Sequence, residues 1–222
     1  MIFDQKKRFN ILAIGAHGDD IELACGGTLA EAVKKGHVVK MIIISGKESH
    51  DHNEKPIRTK TQAESEIKNA AKKLGVKDFE ILGFSDKLIP YSYELISRLD
   101  QIICDFDPDI IFTHFAFDTH QDHLRTAQST ISAARRRNAI LLYEPINPSG
   151  QGYVHFRAQM YVDISGSINQ KIESLKAHKS QYEKYSESWI DAVKARAKFR
   201  GYEMNTKYAE CFEVVRFELI LE

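Results

Sequence analysis

The chain has 222 residues, and its 31 Lys+Arg balance its 31 Asp+Glu, so the formal net charge is zero. That balance excludes the basic field that nucleic acids or acidic membrane surfaces select, and the charge is read as solvating helix faces. Three widely spaced cysteines argue against a disulfide framework, and no signal-like or membrane-length apolar stretch occurs; the expectation is a cytoplasmic protein.

In chain order, an apolar run at 10–16 reads as the first strand and leads into Gly15-Ala16-His17-Gly18-Asp19-Asp20-Ile21-Glu22. A helix near 26–35 and a strand at 38–45 follow. The next loop carries Glu48, His50, Asp51 and His52. A helix at 57–74 stops at Gly75, and a strand at 79–83 leads to a helix at 91–105, which stops at Asp107-Pro108. A strand at 109–113 then runs into Asp118-Thr119-His120-Gln121-Asp122-His123. In the helix at 121–137, Leu124, Ala127, Ile131 and Ala134 recur at helical spacing. A strand at 139–143, a turn-rich loop at 144–152, a short strand at 158–164, helices near 167–178 and 187–201, and a strand at 211–220 complete the chain. The rhythm predicts an α/β fold: a doubly wound, mostly parallel sheet with helices on both faces and a C-terminal strand and helix extension. With no repeat or linker in sight, residues 1–222 read as one domain.

In such a sheet, ligands bind outside the carboxyl ends of the strands, where the strand order reverses. In the order 3-2-1-4-5, strands 1 and 4 are neighbours there, so the fold brings together two His/Asp clusters that stand about a hundred residues apart in sequence. His17, Asp20 and His123 make a set of three ligands for Zn²⁺ that leaves a position open to water, and the same donors also suit Fe(II). Asp19 is the candidate general base. His120 is the candidate for stabilising an oxyanion or protonating a leaving amine, and Asp122 for orienting a histidine. Against this stands a plainer reading in which Asp19 and Asp20 cap a helix and His17 is a satisfied strand-end histidine. Phosphate binding at Gly26-Gly27 is disfavoured, because the spacing is not Gly-x-Gly-x-x-Gly and two carboxylates stand in the same loop.

Other residues carry weaker signals. His50, in the loop after the second strand, is a candidate substrate contact, with a solvated loop as the competing reading. His114 reads as a site wall or a core histidine, and His178 as a helix-packing or capping residue. Glu22 reads as an outer support of the site or simply as an acid in a first helical turn. Tyr182, Tyr185 and Trp189 read as core or as the surface of a homo-oligomer.

With these residues in hand, the chain resembles the PIG-L (LmbE-like) superfamily of zinc-dependent N-deacetylases. The motif Ala-His-Pro-Asp-Asp-x-Glu is matched by Ala16-His17-Gly18-Asp19-Asp20-Ile21-Glu22, and His-x-Asp-His by His120-Gln121-Asp122-His123. Weaker similarities include Cys25-Gly26-Gly27-Thr28, Leu82-Gly83-Phe84-Ser85-Asp86, Ala177-His178-Lys179-Ser180-Gln181 and Tyr208-Ala209-Glu210-Cys211-Phe212. The resemblance implies a Rossmann-like fold, zinc on His17, Asp20 and His123, Asp19 as general base, His120 at the oxyanion, Asp122 as its partner carboxylate, and Arg58 and Asp86 as substrate contacts, a turn or a cap being the competing reading for Asp86. It implies removal of acetate from a small-molecule N-acetylglucosamine-type sugar or conjugate. A larger amide substrate and a non-catalytic, metal-dependent sugar-binding protein are the alternatives. Gly18 replaces the motif's proline, and because glycine frees the φ that proline fixes, the expectation is a less preorganised loop.

Overall fold

The computed structural model describes residues 8–46, 49–50, 56–86, 88–146, 150 and 152–218. Strand β1 (Asn10–Gly15) is followed by α1 (Asp20–Lys34), β2 (Val38–Ser45) and a two-stranded ladder of β3 (Ser49–His50) and β4 (Pro56–Arg58). Next come α2 (Lys60–Leu74), β5 (Asp78–Phe84), α3 (Tyr93–Phe106), β6 (Ile110–Thr113), α4 (Gln121–Ala133) and β7 (Ala139–Tyr143). The chain then forms β8 (Met160–Asp163), α5 (Ile168–Ala177), α6 (Lys179–Glu203) and β9 (Ala209–Phe217). The main sheet has seven strands in the order β5-β2-β1-β6-β7-β9-β8. Its first five strands pair in parallel in the expected 3-2-1-4-5 order, and β9 and β8 add antiparallel pairs at one side. No helix among the described residues is long and apolar enough to cross a membrane.

The sheet is buried on both faces, so its central strands are apolar runs rather than alternations. Along β1, Ile11 and Ala13 join a core shared with Ile21 and Leu29 of α1 and with Ile67, Ala71 and Leu74 of α2. Leu12 and Ile14 point the other way, into a core with Leu95, Leu99 and Ile103 of α3 and Ala133 of α4. Thus α1 and α4 cover opposite faces, while β1 and β6, the strands that precede them, are hydrogen-bonded neighbours. This divergence opens the crevice that holds the site.

The helix expected at 121–137 ends at Ala133, and three further departures from the expectations have a visible local reason. The first helix begins at Asp20, not near 26, and runs through Gly26-Gly27. Here Glu210 accepts from the N–H groups of Gly27 (2.9 Å) and Thr28 (2.7 Å), and the Leu23 carbonyl accepts from Lys171 Nζ at 2.7 Å. Gly27 is needed for space, because a Cβ there would lie 2.8 Å from Ile164. The second helix begins at Lys60 rather than 57, since residues 56–58 form β4. Thr59 and Gln62 then close a capping box: Thr59 Oγ1 accepts from the Gln62 N–H, and Gln62 Oε1 from the Thr59 N–H. The last helix starts at Lys179, eight residues before the expected 187, with a break at Ser186, where φ is 56°.

Glu210 and Lys171 are both buried and stand against each other, so neither can lose its partner cheaply. Glu210→Ala removes the acceptor for two amides and one ammonium. It is expected to lower the unfolding free energy by about 3–5 kcal/mol, read by urea denaturation. A loss below about 1 kcal/mol would show that α1 does not need the carboxylate to run through Gly26-Gly27.

Candidate active site

The chain leaves β1 at Gly15 and turns through Ala16, His17, Gly18 and Asp19 into α1. Asp19 occupies the N-cap position, yet its side chain makes no capping hydrogen bond, and its backbone (φ −108°, ψ −9°) departs from the usual extended cap. The helix-capping reading is therefore not realised at Asp19. Across the crevice, β6 ends at Thr113 and the loop beyond it supplies His114, Asp118, His120 and, at the start of α4, Asp122 and His123. Asp118 Oδ1 accepts the His120 N–H at 2.8 Å, and His120 Nδ1 accepts the Asp122 N–H at 3.2 Å, so the loop and helix end are locked by their own side chains.

Asp20 is the hub of the cluster. Its Oδ2 accepts the backbone N–H of His17 at 2.7 Å and lies 3.4 Å from His17 Nδ1 and 3.1 Å from His114 Nε2. Its Oδ1 lies 3.3 Å from His123 Nε2. The outer nitrogens of both flanking histidines rest on carboxylates: His17 Nε2 is 3.1 Å from Asp122 Oδ2, and His123 Nδ1 is 3.0 Å from Asp118 Oδ2. Asp122 Oδ1 accepts the N–H of Ile89, which ties the loop after β5 to the same point. His114 Nε2, which faces Asp20 Oδ2, also accepts the Ala16 N–H at 2.9 Å. His123 stacks on His114 (4.1 Å between ring centroids) and on His120 (4.4 Å).

Charge in this cluster follows from the geometry. Burial alone would push the Asp20 carboxyl up, but attraction to His123, His114 and His17 outweighs it and holds the group well below the usual carboxylate range. Burial also works against protonated His17 and His123. Their carboxylate neighbours overcome it, raising His17 well above its ordinary value and His123 to about 9. His114, buried and facing His123, falls to about 4, and His120 is lowered by burial and by the positive rings beside it. Positive charge is thus drawn to the inner nitrogens of His17 and His123, on either side of Asp20.

Those groups fit a divalent cation. One donor atom from each of His17, Asp20 and His123 can be chosen so that all lie within 4.8 Å of one another. Donors held about 2.1 Å from a tetrahedral ion stand about 3.4 Å apart; Asp20 Oδ2 lies 3.4 Å from His17 Nδ1 and Oδ1 lies 3.3 Å from His123 Nε2, so the carboxylate meets each ring on that scale through a different oxygen. Carboxylates on the outer nitrogens are what orient ligating histidines and fix their tautomers. Binding an ion there would displace the protons that His17 and His123 otherwise take up.

The remaining sequence candidates divide. Arg58, only 6% exposed, pairs with Glu66 at 3.4 Å and backs the His17–Asp19 turn, its Nη1 lying 3.8 Å from the position a Gly18 Cβ would take. Asp86 is partly buried; burial raises its carboxyl, against the pull of His17 and Arg58, so it belongs to the same crevice. His50 pairs through its backbone with Pro56, while its side chain, like Glu48, Asp51 and His52, lies outside the described residues. Glu22 and His178 are fully buried, with His178 Nε2 3.3 Å from Glu22 Oε1, so the α5–α6 junction is pinned to the first turn of α1. His114 is both core and site wall. Asp118 is the member of the cluster that sequence reasoning misses. Its signal is its place five residues before His123 in the second cluster, which reads equally well as a turn-forming aspartate. Tyr182 and Trp189 pack on Ile172, Leu175, Ile190 and Val193, and Tyr185 is exposed.

Residues 12–134 match the PIG-L family model, described as GlcNAc-PI de-N-acetylase. The uncharacterized deacetylase YaiS of Escherichia coli (strain K12) is 33% identical over 188 residues, which cover 81% of this chain and 96% of that one. The diacetylchitobiose deacetylase of Thermococcus kodakarensis is 26% identical over 216 residues, 90% of this chain and 80% of its own. Among solved structures, the conserved protein TT1542 from Thermus thermophilus shares the fold, with a TM-score of 0.80 over 96% of this chain and 97% of its own at 24% identity.

The Asp118 contact yields a test. Asp118→Ala leaves His123 without the carboxylate on its outer nitrogen and is expected to weaken zinc binding about 10–100-fold, measured by competition with a chromophoric chelator. Affinity within twofold of the unsubstituted protein would show that His123 is oriented by something else.

Proposed function

Because this chain belongs to the PIG-L family, we propose that it is a metal-dependent N-deacetylase. It releases acetate and a free amine from an N-acetylglucosamine-type sugar or sugar conjugate. The observation that carries this reading is the pairing at Asp20: two histidines face it with their inner nitrogens and rest on Asp122 and Asp118 with their outer ones, while the Asp19 side chain beside them is not spent on capping. The names of relatives support the substrate class, among them the diacetylchitobiose deacetylase.

In this mechanism His17, Asp20 and His123 would hold the metal, zinc by the donor set, and Fe(II) also suits those donors. When bound, such an ion lowers the pKa of a water to about 7 and polarises a carbonyl oxygen. Asp19 takes the proton from the attacking water as its oxygen bonds to the acetyl carbon. His120, whose Nδ1 accepts the Asp122 N–H, keeps its proton on Nε2 even when neutral and donates it toward the oxygen that gains charge. When the C–N bond breaks, Asp19 returns its proton to the leaving nitrogen, so water, amide, acetate and amine balance. Arg58 and Asp86 are assigned to the sugar side of the crevice, with His50 as a further substrate contact. The whole chain acts as one catalytic domain. Its cysteines, all free where described, suit the reducing cytoplasm.

The test is acetate release from a panel of N-acetylated amino sugars, free, glycoside-linked and nucleotide-linked, supplied to zinc-loaded protein. Asp19→Asn is expected to keep its zinc and lose about 10²–10⁴-fold in kcat, whereas His123→Ala is expected to lose the zinc as well. Turnover by Asp19→Asn at the full rate would remove Asp19 from the mechanism. Zinc and sugar bound together without acetate would instead support the non-catalytic binding reading.

A further inference from the structure

Gly18 stands between a proposed metal ligand and the proposed base, and its backbone does not occupy the left-handed region that only glycine enters freely. What requires glycine there is space. A Cβ on residue 18 would lie 2.8 Å from Ile67 Cγ1 and 3.0 Å from Ile67 Cδ1, well inside the roughly 3.5–4.0 Å at which carbon atoms pack. Ile67 cannot easily give way. It is fully buried in α2, in the core that also holds Ile21, Ala71 and Leu74. The residue before it, Glu66, accepts from the Ser180 N–H and Oγ–H, each at 2.8 Å, and pairs with Arg58, so this part of α2 is clamped to the start of α6.

We infer that Ile67 is a positioning residue for the metal-binding turn: its side chain fills the volume beneath Gly18 and holds His17, Asp19 and Asp20 in register, doing by packing what a proline would do by fixing φ. Gly18 and Ile67 therefore form a matched pair. On this inference the packing against Ile67 offsets the backbone freedom that glycine would otherwise give the loop. A β-carbon at 18 is tolerated only when residue 67 is small, and a small residue at 67 leaves the turn unsupported unless residue 18 grows. The inference rests on the metal reading above, because the quantity that the pair controls is the geometry of His17 and Asp20.

The experiment is a double-mutant cycle read as zinc affinity, with zinc itself as the probe in chelator competition on fully folded protein. Gly18→Ala and Ile67→Ala are each expected to weaken zinc binding on the order of tenfold. The double variant is expected to bind more tightly than either single one. Leu99→Ala, an equally buried truncation in the core on the other face of the sheet, is expected to lower the denaturation midpoint while leaving zinc affinity within twofold. Gly18→Pro combined with Ile67→Ala is the stricter rescue, and it is expected to exceed Ile67→Ala in affinity. If the unsubstituted protein binds zinc and the single substitutions leave affinity unchanged, or their losses multiply in the double variant, the inference is overturned while the metal reading stands. If the unsubstituted protein binds no zinc, both fall together.

Discussion

A carboxylate taken out of water costs several kcal/mol unless opposite charge and hydrogen bonds replace the lost solvation. Asp20 is such a carboxylate, and the local architecture is arranged around meeting that need. Its Oδ2 takes the His17 N–H at the turn out of β1 and faces the His17 ring, while its Oδ1 faces the His123 ring from the other side of the crevice. Those imidazoles need acceptors of their own, which Asp118 and Asp122 provide. Removing any one member takes a partner from at least one other, so the cluster behaves as a unit rather than as a sum of contacts.

The scaffold makes this arrangement possible by connectivity more than by local propensity. Parallel β1 and β6 deliver two loops to the same edge, and helices on opposite faces carry the chain away from it. Elements from the C-terminal third then fix the loops from outside. His178 meets Glu22 one turn into α1, Ser180 holds Glu66 beside Ile67, and Glu210 with Lys171 binds polar groups in the middle of α1. Together these contacts give structural content to the motifs around His178 and Glu210, which stand far from the two His/Asp clusters in sequence.

The strand order and the convergence of the two clusters were legible in the sequence because apolar runs alternate cleanly with helical spacing and the charge stands at the strand ends. Other features were hidden for physical reasons. Gly26-Gly27 mimics a helix start; only the tertiary partners Glu210, Lys171 and Ile164 show why the helix runs through it. Periodicity alone extends α2 back over residues 56–58, whereas the Thr59–Gln62 capping box sets its start after them. Asp118 resembles any turn aspartate until its second oxygen is seen on His123. The role of Ile67 has no sequence signal at all, since a buried isoleucine on an amphipathic helix is the ordinary case.

The most direct measurement is a titration of metal-stripped protein with zinc, following acetate release from N,N'-diacetylchitobiose and from the best N-acetylated sugar of the panel. The account requires release to rise in proportion to added zinc, to level off at one ion per chain, and to be absent from His17→Ala at the same zinc concentration. Acetate release at the full rate without metal, or unaffected by loss of His17, would contradict it.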